Sequence, residues 1–278
     1  MNSDKRETRD RRDTSGQAEP VRLSARLQTV AGFVKPGSRI ADIGTDHGYI
    51  PVYLAQTGRI QSALAMDVRT GPLMRAQAHI REYEERTYVR GYERGDAGAE
   101  YEEGGPPAHI CHVETRLSDG LKELKPGEAD TVIIAGMGGE LIMRILDEGR
   151  HVWDSVEHYI LSPQSGLDKV RRFLAANGFA IEDEAMVKDE GKYYTVMSVK
   201  RGHMEYGSQA HYLYGRILIG KKDRTLREFL VKEERRIKGI LGSLDEQETV
   251  PETEARAGAR RSRREELSWI KEAQDEMQ

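Results

Sequence analysis

Five short strand-like runs in the first two thirds of the chain, most of them apolar, lead into glycines, acids or a proline, and helix-length segments separate most of them. The run at 39–43 enters Gly44-Thr45-Asp46-His47-Gly48, and the run at 62–68 closes on Asp67. Those at 109–115, 130–135 and 157–162 lead into Ser118-Asp119-Gly120, Gly136-Met137-Gly138-Gly139 and Ser162-Pro163-Gln164. Alternating strands and helices demand a parallel sheet covered on both faces, because a parallel crossover needs a helix to carry the chain back. Helices are expected from Leu23, over Ile50 to Gln56, after Gly71-Pro72, and over 139–148 and 167–177. The stretch "FAIEDEAMVKDEGKYYTVMSVKRG" breaks the alternation. It reads as two strands joined at Asp189-Glu190-Gly191, a hairpin that adds one antiparallel strand at the sheet's end.

Around this α/β domain, placed at 21–203, the pattern predicts three other regions. Residues 1–20 have no periodicity and read as a disordered tail, and 84–107, rich in Glu, Gly and Arg, reads as a surface insertion. Over 204–278, Leu226, Phe229, Leu230, Ile237, Ile240, Leu241 and Leu244 recur at three- and four-residue spacing, followed by Leu267, Ile270 and Met277. That spacing predicts a helical, coiled-coil hairpin packed on itself. A chain cut near Lys200 is therefore expected to fold.

Composition removes several classes of function. A single cysteine excludes an internal disulfide and a multi-cysteine metal site, so no metal is expected and a reducing cytoplasm fits. No apolar run approaches the ~20 residues of a membrane span, and Met1 to Pro20 lacks the apolar segment of a secretory signal. A net charge of −4 decides nothing about nucleic acids, since local basic faces matter more. Lys221, Lys222, Arg224 and Arg227, beside the apolar stripe of the arm, are the candidate phosphate contacts.

In open α/β sheets a ligand sits beyond the carboxyl ends of the strands. Three such ends carry suitable groups. Asp42, Gly44, Thr45, Asp46 and Gly48 form the first loop. Asp67, 25 positions after Asp42, is placed to accept both hydroxyls of a ribose, and Asp119 to accept an exocyclic amine. Together they describe a pocket for an adenosine cofactor. The glycines form G-x-x-x-G, without the dinucleotide fingerprint or a Walker lysine, and acids in the loop would repel a pyrophosphate. They suit the ammonium and sulfonium of S-adenosylmethionine.

The stretches "LSARLQTVAGFV", "RIADIGTDHGYIPVYLA", "DVRTGPLMRAQAHI", "RLSDGL", "IIAGMGGELIMRIL" and "EGKYYTVMSV" resemble the bacterial tRNA adenine-22 N1-methyltransferase family, TrmK, from about Leu23 to Lys200. The resemblance implies a class I methyltransferase fold with a seven-stranded Rossmann-like sheet, S-adenosylmethionine as methyl donor and tRNA as acceptor. It also implies a helical C-terminal domain that helps hold the tRNA. On that basis Asp46 and His47 are the candidate catalytic residues, with Asp46 facing the charge that develops on a methylated adenine. Gly136 and Met137 join the cofactor set. Gly138 and Gly139 would let the base approach the main chain. The protein is expected to act as a monomer.

Blander readings stand beside these. Gly136, Gly138 and Gly139 also fit a packing turn, and Asp119 a helix cap. Tyr193, Tyr194, Trp153, Trp269 and Cys111 are read as packing residues, and Arg256–Arg264 as a solvated segment. The competing functions are a small-molecule methyltransferase whose arm dimerises and a non-catalytic RNA-binding module.

Overall fold

The computed structural model describes residues 21–93, 111–246 and 253–278. The N-terminal tail of the sequence reading lies outside them. Seven strands form one sheet: β1 (Ser38–Ile43), β2 (Ile60–Asp67), β3 (His112–Leu117), β4 (Thr131–Met137), β5 (His158–Pro163), β6 (Phe179–Asp189) and β7 (Lys192–Arg201). Their spatial order is β3-β2-β1-β4-β5-β7-β6, parallel throughout except where β7 runs against both neighbours. The terminal hairpin turns at Glu190-Gly191, as the sequence predicts. The fold is that of a class I methyltransferase.

The order reverses between β1 and β4, so the connections leave those strands toward opposite edges and open a crevice above them. Helices α1 (Ala25–Gly32), α2 (Tyr49–Gln56) and α3 (Thr70–Glu93) accompany one core cluster, centred on Ile40, Leu54, Ile133 and Ile160. Helices α4 (Gly139–Glu148) and α5 (Leu167–Ala176) accompany the other, centred on Ala41, Ile134, Leu146 and Leu161. Neighbours along one strand thus serve opposite faces, as pleating requires. The central strands are buried on both sides and read as unbroken apolar runs.

The insertion begins later than its composition suggests. Helix α3 continues to Glu93, keeping Ile80 and Tyr83 in the core. Its Glu/Arg-rich sequence supports an exposed helical face, with Arg86 and Glu82 paired one turn apart at 2.5 Å. The part from 94 to 107 lies outside the described residues.

Beyond β7 come a single π-turn (His211–Gly215), a short α6 (Arg216–Gly220), and the antiparallel α7 (Arg224–Glu246) and α8 (Glu254–Glu276). Leu226, Leu230 and Ile237 bury against Ile270, Ala273 and Met277. This hairpin does not pack only on itself. Its base sits on the β6–β7 hairpin, where Tyr193 meets Phe229 edge to face at 5.3 Å and donates to Glu228 at 2.8 Å.

One side chain fastens the junction. Arg171 of α5 is fully buried, and its Nε and Nη2 donate to Glu184 Oε1 at 3.0 and 2.7 Å. Its Nη1 donates to the carbonyls of Tyr212 and Leu213 in the π-turn, at 2.7 and 3.1 Å. Gly215 has φ +93°, and a Cβ there would overlap the Glu184 carboxylate. Two of the three acceptors lie beyond Lys200, so a chain cut there would leave a buried guanidinium half-satisfied. The sequence reading of a self-sufficient catalytic domain missed this pair, because Arg171 stands in a helix that looks amphipathic and ordinary.

Removing one partner of such a pair leaves an uncompensated buried charge. Glu184→Ala is expected to lower the unfolding free energy by about 3–5 kcal/mol in urea titration, whereas an apolar Arg171/Glu184 double replacement should cost much less.

Candidate active site

A cleft of about 750 Å³ opens above β1, β2 and β4, at the point where strand order reverses. Asp42, Gly44 and Asp46 line it from the first loop, Asp67 and Val68 from the end of β2, Ser118 and Asp119 from the end of β3, and Gly136 and Met137 from the end of β4. The loops that looked chemically loaded in the sequence therefore converge on one space.

The loop after β1 is shaped by its backbone. Gly44 has φ +73°, and a Cβ there would overlap the Met137 methyl group. The amides of Gly44 and Thr45 both donate to Met66 O, at 2.8 and 3.0 Å, which pins the loop to β2.

Asp42 is 6 % exposed and has no ion pair with a described lysine or arginine. Burial pushes its carboxyl up to about 6; the Thr45 hydroxyl opposes this and the charge of Asp67 adds to it. Asp67 is equally buried. Its Oδ1 accepts from the Arg69 amide at 2.8 Å, and the exposed Arg69 guanidinium stands 3.8 Å away. Two poorly neutralised carboxylates on the floor of a cleft suit a ligand that brings positive charge and hydroxyl donors. The mixed wall, with Val68, Leu141 and Met137 beside the acids, suits an adenosine better than a polyphosphate. Asp119 stands at the rim, with Lys122 at 2.6 Å and Arg144 at 3.8 Å, and these cations hold its carboxyl below the usual range. An ionised carboxylate keeps lone pairs for a further donor.

Several expected contacts fall elsewhere. His47 does not line the cleft. Its ring stacks on Tyr49 at 5.3 Å, and its carbonyl accepts from Nδ1 of His79 at 2.8 Å, so it props Tyr49, which does line the cleft. Thr45 is buried behind the wall, and Gly48 makes the left-handed entry to α2 against Ala76. Gly138 and Gly139 belong to the turn into α4, where a Cβ on Gly139 would overlap the Ser165 carbonyl, so the packing reading describes them. Among the arm residues, Arg227 donates to Met277 O at 2.7 Å and closes the end of α8, and Lys221 pairs with Asp183. Lys222 and Arg224 are exposed on the arm. Most of the basic run is not simply solvated either: Arg256 and Arg260 cap α7 through Leu244 O, at 2.5 and 3.0 Å.

Sequence reasoning missed Arg26, Tyr49 and Arg75, all on the cleft wall, and left Gln164, at the end of β5 and also on that wall, without a role. Arg26 was hidden in a helix read only for its apolar stripe. Arg75 reaches Asp46 at 3.3 Å across the rim. Among the described residues, no group of three or more His, Cys, Asp and Glu is placed to hold a metal. No helix among the described residues is long and apolar enough to cross a membrane.

Comparison with known proteins identifies the family. Residues 109–261 match the family model described as tRNA (adenine(22)-N(1))-methyltransferase, and residues 23–95 match a methyltransferase domain. The tRNA (adenine(22)-N(1))-methyltransferase of Bacillus subtilis is 32% identical over 213 residues, 77% of this chain and 76% of that protein. The chain belongs to the tRNA (adenine(22)-N(1))-methyltransferase family. The crystal structure of the B. subtilis M1A22 tRNA methyltransferase TrmK superposes with a TM-score of 0.71 at 27% identity, covering 91% of this chain and 99% of that one. Protein Sp1610 of Streptococcus pneumoniae, solved in complex with S-adenosyl-L-methionine, gives 0.70 at 28% identity over the same shares.

The raised Asp42 carboxyl has a sign that can be tested. Between the ordinary carboxylate range and about 6, the folded form holds a proton that the unfolded form has lost, so this group's stabilisation is lost as pH rises through 6. Asp42→Asn is expected to raise the melting temperature of the ligand-free protein at pH 7.5, with the gain shrinking as pH falls from 6 toward 4. Differential scanning calorimetry across that window checks it.

Proposed function

We propose that this protein methylates N1 of an adenine in tRNA, adenine 22 by its family, using S-adenosylmethionine and giving 1-methyladenosine. The observation that carries the reading is the cleft at the strand-order reversal. It combines two buried, poorly neutralised carboxylates with family membership.

Bound S-adenosylmethionine supplies the electrophilic methyl group. Asp67 is suited to the ribose hydroxyls, Asp119 to the adenine amine, and Asp42 to the cationic end of the cofactor through the field it sets beneath the Gly44 loop. Gly44, Gly136 and Met137 allow close approach of the main chain.

Adenine N1 carries its own lone pair, so the acceptor needs no proton removed before it reacts. Placement then dominates, with near-attack distances of about 3–3.5 Å. N1 lies on the Watson–Crick edge, so the base must be unpaired or turned out of its helix. Methylation leaves a cationic adenine, and Asp46, on the exposed lip beside Arg75, is the carboxylate nearest that task. Tyr49, Arg26 and Gln164 complete the wall on that side and are the groups available to orient the base. His47 contributes by holding Tyr49. The exposed Lys222 and Arg224 remain candidates for phosphate contact. We read the protein as a monomer that works in the cytoplasm.

Incubation with labelled S-adenosylmethionine and unmodified tRNA, followed by nucleoside mapping, should place label in 1-methyladenosine. Absence of label from every tRNA tried would overturn the reading. Asp67→Ala is expected to weaken cofactor binding by roughly 1.5–3 kcal/mol in calorimetry, the worth of charge-assisted hydrogen bonds. Asp46→Ala should instead lower turnover at saturating cofactor by about tenfold or more, equivalent to ~1.4 kcal/mol of transition-state stabilisation, with cofactor affinity nearly retained. A collapse of affinity with normal turnover would make Asp46 a cofactor ligand only.

A further inference from the structure

A second cavity, about 280 Å³, lies where the helical arm meets the sheet's end. Tyr193, Tyr214, Phe229 and Trp269 form much of its wall, with Ser262 and Glu266 on the polar side. The chain has only two tryptophans and four phenylalanines, and one of each stands here. All four rings are only partly buried. The chain also shows how it seals a purely structural aromatic cluster. Trp153, Phe179 and Tyr159 meet edge to face at 4.9 and 5.5 Å and are 8, 1 and 0% exposed. The junction leaves its rings facing a space instead.

The electrostatics of the rim favour a nucleotide. The ammonium groups of Lys188 and Lys232 stand 5.5 and 5.2 Å from the centre of the Tyr193 ring; Lys188 is paired with Glu228, so Lys232 is the rim cation left for a phosphate. Glu266 is fixed by Arg236, at 3.1 Å, and by Arg263, and keeps acceptor capacity toward the cavity. Aromatic faces, one oriented acceptor and a cation at the rim are what an unstacked base with its phosphate requires.

The position also fits. Gln164 lines the cofactor cleft, and Leu167, three residues later, lines this cavity. Their Cα atoms are therefore no more than about 11 Å apart. Tyr194, the next residue along β7 after Tyr193, faces the other way and lies 5.3 Å beneath Arg26, which lines the cleft.

We propose that this cavity holds a second unpaired base of the tRNA while the target adenine occupies the cleft, an inference that rests on the function proposed above. The contact is non-covalent and takes no part in methyl transfer. It fixes the register of the RNA, so its loss appears in the affinity for tRNA and not in the chemical step.

Two variants and one optical signal test this. Ser262 is exposed on α8, so Ser262→Trp fills the cavity without removing a core contact. Phe229→Leu keeps apolar volume but removes a ring. Each should raise KM for tRNA about tenfold, the scale of one lost base stack, with kcat and S-adenosylmethionine affinity unchanged. In a Trp153→Phe background Trp269 is the sole tryptophan, and unmodified tRNA should quench its emission, while S-adenosylmethionine alone should not. Unchanged KM in both variants, or Trp269 emission indifferent to saturating tRNA, would overturn the proposal. If the parent protein methylates no tRNA, the functional reading fails by itself, and Trp269 quenching by tRNA still decides whether the cavity takes a base.

Discussion

The reversal of strand order between β1 and β4 governs the rest of this molecule. Two adjacent parallel strands whose chains depart in opposite directions cannot both be roofed by their own connections. The gap left above them is where Gly44, Asp67, Asp119 and Gly136 meet, although β1 and β4 begin more than ninety residues apart. Sheet pairing places these groups, since the β1–β2 and β1–β4 registers set Asp42 beside Ala65 and Ile133. Neither the loops nor the helices need to hold the cleft open.

Within that frame the acids carry an energetic cost that the fold tolerates. Asp42 is buried without a basic partner, so its charged form is disfavoured until a cation arrives. A cleft of this kind is tuned for a positively charged guest, and its ligand-free form is correspondingly less stable near neutral pH. Surface ion pairs such as Arg75–Asp46 add little by comparison, because both partners remain in water.

The sequence made the centre of the sheet legible because β1, β2, β4 and β5 are largely apolar runs with sharp chemical endings. The hairpin strands β6 and β7 were legible instead from the turn at Asp189-Glu190-Gly191, and β3, which buries only Val113, ends two residues later than the pattern placed it. Cleft residues were legible where they terminate strands, as with Asp67 and Gly136. They were hidden where they ride on a helix, as with Arg26 and Arg75, because helix periodicity advertises the buried face and is silent about the opposite one. His47 is the converse case: it stands among chemically loaded neighbours, and a left-handed backbone at φ 60° sets its ring beside Tyr49 and His79. Arg227 looked like a phosphate contact and Arg256 like part of a solvated run, and the structure uses both to close helix ends, a role that depends on tertiary neighbours.

The buried Arg171 also sets an order in time. A ribosome releases Arg171 before its acceptor at Tyr212, 41 residues later. At about 5–20 residues per second that is a lag of ~2–8 s. For that interval α5 cannot close over its guanidinium, and the edge of the sheet must wait for the arm to emerge. The helical arm is therefore part of the last step in completing the sheet it sits on, and a nascent chain stalled between these two points presents its least finished surface at the end of the sheet.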